Sequence, residues 1–175
     1  LCVQPAMTQA TAQKRRELRV FIEREVVREP SVQGVVGIGS IASQLARPDS
    51  DIDAVVFMDP QDLYAVPAEF IWCPSDGTYH SIFDAVAEDG KACIQFDFAR
   101  LDLARWADSS FVWPEGRLAE LAEGWLAFDR TGEVGKLIAD RTVYGDALRR
   151  TRLDEAITWL DQHLSGDRPA RCWQS

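Results

Sequence analysis

The chain has 175 residues, of which 46% are hydrophobic and 27% are charged. This balance fits one folded domain with a short appendage and excludes a disordered chain. The 28 acidic residues outnumber the 19 basic ones, for a formal net charge of -9. Such a charge disfavours binding to a long nucleic acid and suits a neutral or cationic substrate better.

The sequence carries no signal for a membrane or for export. No apolar run is long enough to span a bilayer, and the N-terminus lacks a charged-then-apolar leader. The four cysteines, at positions 2, 73, 93 and 172, are far apart and form no Cys-x-x-Cys pair, which indicates neither a zinc site nor a dense disulfide framework. We therefore expect reduced thiols and a cytoplasmic location. Because the chain begins at Leu1, we also expect that Met7 is the native start or that the sequence is a fragment.

The first predicted elements are a helix and a buried strand. Apolar residues recur at helical spacing over residues 11–29, and Pro30 ends this helix. Residues 32–38 are apolar and β-branched, which predicts a strand that runs into Gly39-Ser40. Ser40 is a good N-cap for a helix over residues 41–46, which Pro48 ends.

The second strand determines how the first two strands are arranged. Residues 52–58 are apolar on both faces beyond Asp53, so we expect helices to cover both sides. The connector, residues 41–50, has ten positions, whereas a parallel crossover needs about a dozen or more. The two strands should therefore run antiparallel, with Asp51 and Asp53 on one face beside the Gly39-Ser40 turn.

The middle of the chain contains a carboxylate in an apolar strand. Residues 69–73 form a short apolar segment, and residues 78–88 are predicted to be helical. Residues 92–99 follow as a strand in which Asp97 stands between Phe96 and Phe98. A charge in this setting is unfavourable unless it is paired or bound to a metal, so Asp97 is predicted to be a third metal ligand.

The remaining elements are mostly helical. Residues 101–122 are predicted to be helical with an interruption at Pro114, residues 125–129 an edge strand, and residues 133–141 a helix. Residues 146–164 form an amphipathic pattern whose leucines and isoleucine are available for burial.

Three carboxylates, Asp51, Asp53 and Asp97, are thus expected to meet beside a glycine-serine turn. Two divalent ions about 4 Å apart, held by such a set, can activate a hydroxyl nucleophile and neutralise a leaving pyrophosphate. Mg²⁺ is favoured because it binds through few carboxylates plus substrate phosphates. The backbone at Gly39 and Ser40, the Ser40 hydroxyl and the positive helix end at Ile41 would hold a triphosphate.

Three other interpretations compete with this one. Residues 37–42 also fit the dinucleotide fingerprint G-x-G-x-x-A, but a helix ended by Pro48 is too short for that crossover. Asp49, Asp51 and Asp53 resemble the start of a calcium-binding loop, but Ala54 and Pro60 stand where that loop requires glycine and glutamate, so this interpretation is rejected. The two early aspartates could also be a solvated strand end.

Gly39-Ser40, Asp51-Ile52-Asp53 and Phe96-Asp97-Phe98 resemble the signature of the DNA-polymerase-beta-like nucleotidyltransferase superfamily, over roughly residues 11–141. The resemblance implies an α/β (α+β) fold with a mixed, mainly antiparallel β-sheet flanked by helices. It also implies transfer of a nucleoside monophosphate to an acceptor hydroxyl, with Asp97 as metal ligand or proton acceptor. In its small size and acidic balance, the chain is most similar to the small bacterial branch that adenylylates small molecules such as aminoglycosides.

The resemblance leads to specific expectations. Residues 8–145 would be the catalytic domain, and residues 146–175 a C-terminal helix that starts a helical acceptor-binding domain. A homodimer or a longer chain would complete the acceptor pocket. The expected cofactor is Mg²⁺, the donor a nucleoside triphosphate such as ATP, and the acceptor a hydroxyl-bearing small molecule. Alternatives are an antitoxin-like minimal domain that binds or modifies a partner protein and, less favoured, an inactive nucleotide-binding domain.

Overall fold

The computed structural model describes residues 6–75, 77–83, 93–143 and 146–164, and in the last segment the side chains of residues 150–161. The chain divides into two compact units, Leu1–Thr142 and Val143–Ser175. The strands of the described residues lie in the first unit, in a six-stranded sheet of order β4-β3-β5-β2-β1-β6. Their bounds are β1 Val32–Gly37, β2 Ile52–Met58, β3 Glu69–Cys73, β4 Thr78–Ser81, β5 Ile94–Asp102 and β6 Trp125–Asp129.

The sheet is mixed and mostly antiparallel, which confirms the predicted fold class. Strands β1 and β2 run antiparallel, with Val36 opposite Val55, as the short connector predicts. Only the β2–β5 pair is parallel among the described strands. The helices are α1 Gln9–Arg24, α2 Gly39–Ala42, α3 Leu103–Ala107, α4 Glu115–Ala122, α5 Glu133–Arg141 and α6 Asp146–Leu164, with a 3₁₀ turn at Val26–Arg28.

Strand β2 is buried on both faces, because side chains alternate along a strand and helices cover each side. One face, which includes Ile52 and Val56, packs in the cluster that holds Leu18 and Phe21 of α1. The other face, which includes Phe57, packs with residues of α3, α4 and α5. This double cover fixes the position of β2 and of the polar residues at its beginning.

Helix α1 is shorter than predicted. Its N-cap is Thr8, whose side chain accepts a hydrogen bond from the Thr11 backbone N–H. The helix ends at Arg24, and the predicted continuation to residue 29 is instead the 3₁₀ turn Val26–Arg28.

The predicted helix over residues 78–88 is wrong at its beginning. Residues Thr78–Ser81 form β4, an edge strand that pairs antiparallel with β3 and sets Tyr79 opposite Trp72. The physical reason is long-range, since the backbone groups of β3 supply hydrogen-bond partners and Phe21 and Phe70 supply ring contacts for Tyr79. Residues 84–88 lie outside the described residues.

The expectation of reduced thiols is also wrong for two of the cysteines. Cys73, at the end of β3, forms a disulfide with Cys93, immediately before β5. The antiparallel pairing of these strands, with Trp72 opposite Ile94, brings the two residues together. This finding removes the thiol argument for a cytoplasmic location. Cys2 and Cys172 lie outside the described residues.

The second unit contains α6, whose bounds match the prediction. Among its apolar side chains available for burial, Leu153 is 60% exposed, Ile157 54% and Leu160 47%. Among the helices of the described segments, none combines the length and the apolar character that crossing a membrane requires.

Candidate active site

Three carboxylates come together at the beginning of the two central parallel strands. Asp51 lies just before β2, Asp53 is the second residue of β2, and Asp97 is the fourth residue of β5. The parallel register sets Asp53 directly beside Asp97. One carboxylate oxygen from each of the three residues lies within 4.8 Å of the others. The structure therefore unites all three aspartates that the sequence singled out.

The positions of these aspartates follow from strand alternation. Asp53 shares a face of β2 with Val55 and Phe57, which are buried under α3–α5, but it stands at the open end of that face. On β5 the neighbours Phe96 and Phe98 point into the opposite cluster, against α1. Asp51 is exposed, whereas Asp53 and Asp97 are half-buried. The carboxylates thus lie where a packed strand meets solvent.

The electrostatics of the cluster favour a cation. The pKa of Asp53 is raised above its ordinary value, first by burial and then by the negative charges of Asp51, Asp97 and Glu120. Several carboxylates held this close repel one another unless a proton or a metal ion lies between them. Carboxylate oxygen is the ligand type that Mg²⁺ prefers, so the donor set fits that ion.

The Gly39-Ser40 turn lies against this cluster. Gly39 has a φ of +59°, and a Cβ atom placed there would lie 2.9 Å from the Asp53 Oδ2 atom. Any side chain at this position would therefore be strained and would crowd the carboxylate. The Ile38 backbone N–H donates to the Asp53 carbonyl at 3.0 Å, which ties the turn to β2.

The helix after this turn differs from the prediction. Helix α2 spans only Gly39–Ala42, a single turn, with Ile38 rather than Ser40 at the N-cap. The expected helix over residues 41–46, and a positive helix end at Ile41, are therefore wrong. The Ser40 Oγ atom is instead buried and has no hydrogen-bond partner among the described residues. A buried hydroxyl in this state has an unused donor.

Two hollows flank the carboxylates. One, of about 360 Å³, is adjacent to Asp51 and includes Lys14 and Gln95 in its wall. The other, of about 290 Å³, includes Asp53 and Asp97 together with Glu69 and Glu120. The carboxylate cluster therefore borders both hollows, and each hollow has room for a small molecule or a part of one.

Three residues near the carboxylate cluster were not predicted from the sequence to belong to the site. Alternation along the strand places Gln95 on the face of Asp97, but no role at the site was predicted for it. Its side-chain amide donates to Asp97 Oδ1 at 3.1 Å. Glu69 of β3 lies opposite Asp97, and Glu120 of α4 acts on Asp53. These two glutamates come from other elements, and no local pattern points to them.

Lys14 was also missed as a neighbour of the site. It is only 4% exposed on α1, and its ammonium donates to the Ser50 carbonyl. Burial lowers the pKa of Lys14, while the charges of Asp51 and Asp49 oppose that shift. A lysine on a helix is ordinarily exposed, and the sequence does not show that the methylene stem of this one is buried.

Comparison with known proteins supports the same interpretation. Residues 20–93 match the family model described as a nucleotidyltransferase domain. The matched segment includes Gly39, Ser40, Asp51 and Asp53 and ends before Asp97. No curated protein matches the chain. The family match, together with the mixed sheet and the carboxylate cluster, supports the assignment of this chain to the nucleotidyltransferase superfamily.

Proposed function

We propose that the protein is a magnesium-dependent nucleotidyltransferase that moves a nucleoside monophosphate from a triphosphate onto a hydroxyl of a small-molecule acceptor, with release of pyrophosphate. The observation that carries this proposal is the convergence of Asp51, Asp53 and Asp97 within 4.8 Å of one another, beside a turn without a side chain at Gly39. Fold alone would not choose among reactions, but this constellation suits metal-assisted phosphoryl chemistry.

The aspartates would hold the metal. Their oxygen ligands fit Mg²⁺. The pKa of Asp53 is raised first by burial and then by the neighbouring negative charges, and a bound cation relieves that charge repulsion. When bound, Mg²⁺ neutralises phosphate charge and makes an acceptor hydroxyl easier to deprotonate. Asp97 either completes the ligand set or takes the proton of the acceptor hydroxyl. The hydrogen bond from Gln95 fixes the orientation of its carboxylate in both cases.

The turn would hold the triphosphate. The first backbone N–H groups of a helix have no partner within the helix, and here they belong to Gly39–Ala42. The unpartnered Ser40 hydroxyl supplies one further donor to a phosphate oxygen. Glycine at position 39 lets the phosphate chain approach the carboxylates without a steric barrier.

The acceptor would occupy the hollow that Glu69 and Glu120 help to line. Its wall also contains a cation, Arg117, which pairs with Glu120 at 2.7 Å. The carboxylates of Asp53, Glu69 and Asp97 remain in excess, which suits a neutral or cationic molecule such as an aminoglycoside-like acceptor. ATP as the donor, and AMP as the group transferred, follow from the resemblance to the small bacterial branch. Residues 146–175 would start a helical acceptor-binding domain, and a second copy of the chain would complete the acceptor pocket.

A second candidate function uses the same domain to bind or modify a partner protein. The exposed Leu153, Ile157 and Leu160 of α6 favour it, because exposed apolar side chains at helical spacing suit helix packing. Pyrophosphate release with a protein acceptor, and none with small molecules, would select this candidate.

The proposal is tested by incubating the protein with Mg²⁺, each labelled triphosphate and a panel of aminoglycosides, lincosamides and candidate proteins. We expect acceptor-dependent pyrophosphate release by the wild type. In Asp53→Asn it should fall by about a thousandfold, since the cation loses a charged ligand. Asp140→Asn, which neutralises an exposed aspartate of α5, is the matched control and should keep full activity. Equal rates in wild type and Asp53→Asn would refute the proposal.

A further inference from the structure

The segment between the phosphate-binding turn and Asp51 has little regular structure of its own. After the single helical turn Gly39–Ala42, residues 43–51 contain no helix or strand. Gln44 has a φ of +68°, a left-handed conformation that is unfavourable for a residue other than glycine. Such a conformation persists only where surrounding contacts determine it. The question is therefore which contacts hold this segment.

Helix α1 supplies them from one polar side. Near its N-terminus, the Thr8 hydroxyl donates to the Ala46 carbonyl at 2.9 Å. The Ala46 backbone N–H in turn donates to the hydroxyl oxygen of Thr11, a fully buried residue, at 3.0 Å. Lys14 donates to the Ser50 carbonyl further along. These bonds fix the later part of the segment. The first turn is anchored by the Ile41 side chain, which is fully buried in the core, and one further residue of α1 makes the polar contact to its end.

That residue is Arg15, whose guanidinium binds the end of α2. Its Nε and Nη2 atoms donate to the Ile41 carbonyl at 2.9 and 2.7 Å, and Nη2 also reaches the Ala42 carbonyl at 3.4 Å. The last carbonyls of a helix have no partner within it, and a planar guanidinium can serve more than one of them. Arg15 also lies over the Trp125 ring at 4.7 Å, so its own position is constrained from β6.

We propose that Arg15 is a positioning residue for triphosphate binding: by fastening the Ile41 and Ala42 carbonyls to α1, it holds the Gly39 and Ser40 backbone in the orientation that receives phosphate. This inference rests on the proposed function. A single helical turn is not stable in isolation, and α2 has no long helix behind it to keep its first N–H groups aligned. The forked contact from Arg15, together with the buried Ile41 side chain, supplies that support.

A simpler explanation would be that Arg15 acts only through its positive charge, which attracts an anion from a distance. The chain offers a matched control for this alternative. Arg19 lies one helical turn along α1 and packs over the same Trp125 ring at 5.2 Å. Within the described part of the chain, no hydrogen bond joins Arg19 to the segment after Gly39. Arg19 therefore carries the same charge near the same place without the fork.

The test measures ATP binding in the presence of MgCl₂ by calorimetry for wild type, Arg15→Lys, Arg15→Met, Arg19→Lys and Arg19→Met, each with its melting temperature. We expect both Arg15 variants to bind ATP about tenfold more weakly, since lysine keeps the charge but not the fork. Both Arg19 variants should stay within about threefold of the wild type, because only a screened surface charge changes.

Amide hydrogen exchange without ligand provides a second measurement. The Ser43 and Leu45 N–H groups bond the carbonyls of Gly39 and Ser40 at 3.0 and 3.1 Å. Their exchange should become faster in Arg15→Lys, while the amides shared by β1 and β2 keep their wild-type rates. This comparison decides the role of Arg15 even if Arg15→Met fails to fold.

The results separate the two proposals. Wild-type affinity in Arg15→Lys, or an equal loss in the Arg19 variants, overturns the role of Arg15 and leaves the proposed function standing. Unchanged exchange at Ser43 and Leu45 in Arg15→Lys also overturns that role. Where another nucleoside triphosphate binds in place of ATP, the same variants are compared with that nucleotide. A wild type that binds none of the nucleoside triphosphates overturns the proposed function, and with it this inference.

Discussion

Two regions of one strand face show how the site is built. Near the beginning of β2 this face carries Asp53, and four residues further on it carries Phe57, which is fully buried. Phe57 packs against Trp106 of α3 with ring centroids 6.4 Å apart, whereas Asp53 faces two other carboxylates. The apolar end supplies stability, and the acidic end lowers it in the absence of a cation. The buried apolar end therefore holds in place the strand on which Asp53 stands.

The largest expected effect comes from the apolar end. Phe57→Ala should lower the free energy of unfolding by about 3–5 kcal/mol, because it removes a buried ring and leaves a cavity. Urea denaturation measures this loss. Leu126→Ala, at a β6 side chain that is 41% exposed, is a control that should change stability much less. If Phe57→Ala lowers the free energy of unfolding by less than about 1 kcal/mol, the apolar end of this face does not stabilise the fold in the way proposed.

The sequence predicted the parts of the fold that local patterns determine. The bounds of β2, β6 and α5 agree with the prediction. Each of these elements has its pattern of apolar and polar residues within its own segment, so the pattern can be recognised without knowledge of distant contacts. The antiparallel arrangement of β1 and β2 followed from the connector length, and the meeting of Asp51 with Asp53 followed from alternation.

The parts that failed depend on contacts between distant segments. Strand β4 exists because β3 offers a partner edge, and the Cys73–Cys93 disulfide exists because β3 and β5 are neighbours. Helix α2 is one turn rather than two, although Ser40 is a good N-cap residue. Side chains of the distant helix α1 bind its last carbonyls and the chain that follows, and no local pattern predicts these contacts. Glu69 and Glu120 reach the site by the same long-range assembly.

The smallest expected effect concerns the pH dependence of the acidic end. The folded-state pKa of Asp53 is raised above the ordinary value of 3.8, so the folded protein binds this proton more tightly than the unfolded chain. Its contribution to stability is therefore present below pH 3.8 and is lost as pH rises through the raised pKa. Asp53→Asn should remove this loss in metal-free protein.

The measurement is urea denaturation in EDTA over a pH series for wild type and Asp53→Asn. The stability of the variant relative to the wild type should rise with pH above 3.8 and then level off. Asp140→Asn serves as the control and should show a smaller change. A relative stability that falls with pH would mean that the Asp53 carboxylate is stabilised as an anion, contrary to the environment described.

The central claim is that Asp51, Asp53 and Asp97 form one cation site beside the Gly39-Ser40 turn. Crystals grown with Mn²⁺ and a non-hydrolysable ATP analogue, measured at the manganese absorption edge, test it most directly. We expect an anomalous peak within bonding distance of all three carboxylates, with the phosphate chain against Gly39 and Ser40. A bound analogue whose manganese lies elsewhere, or phosphates away from this turn, would contradict it.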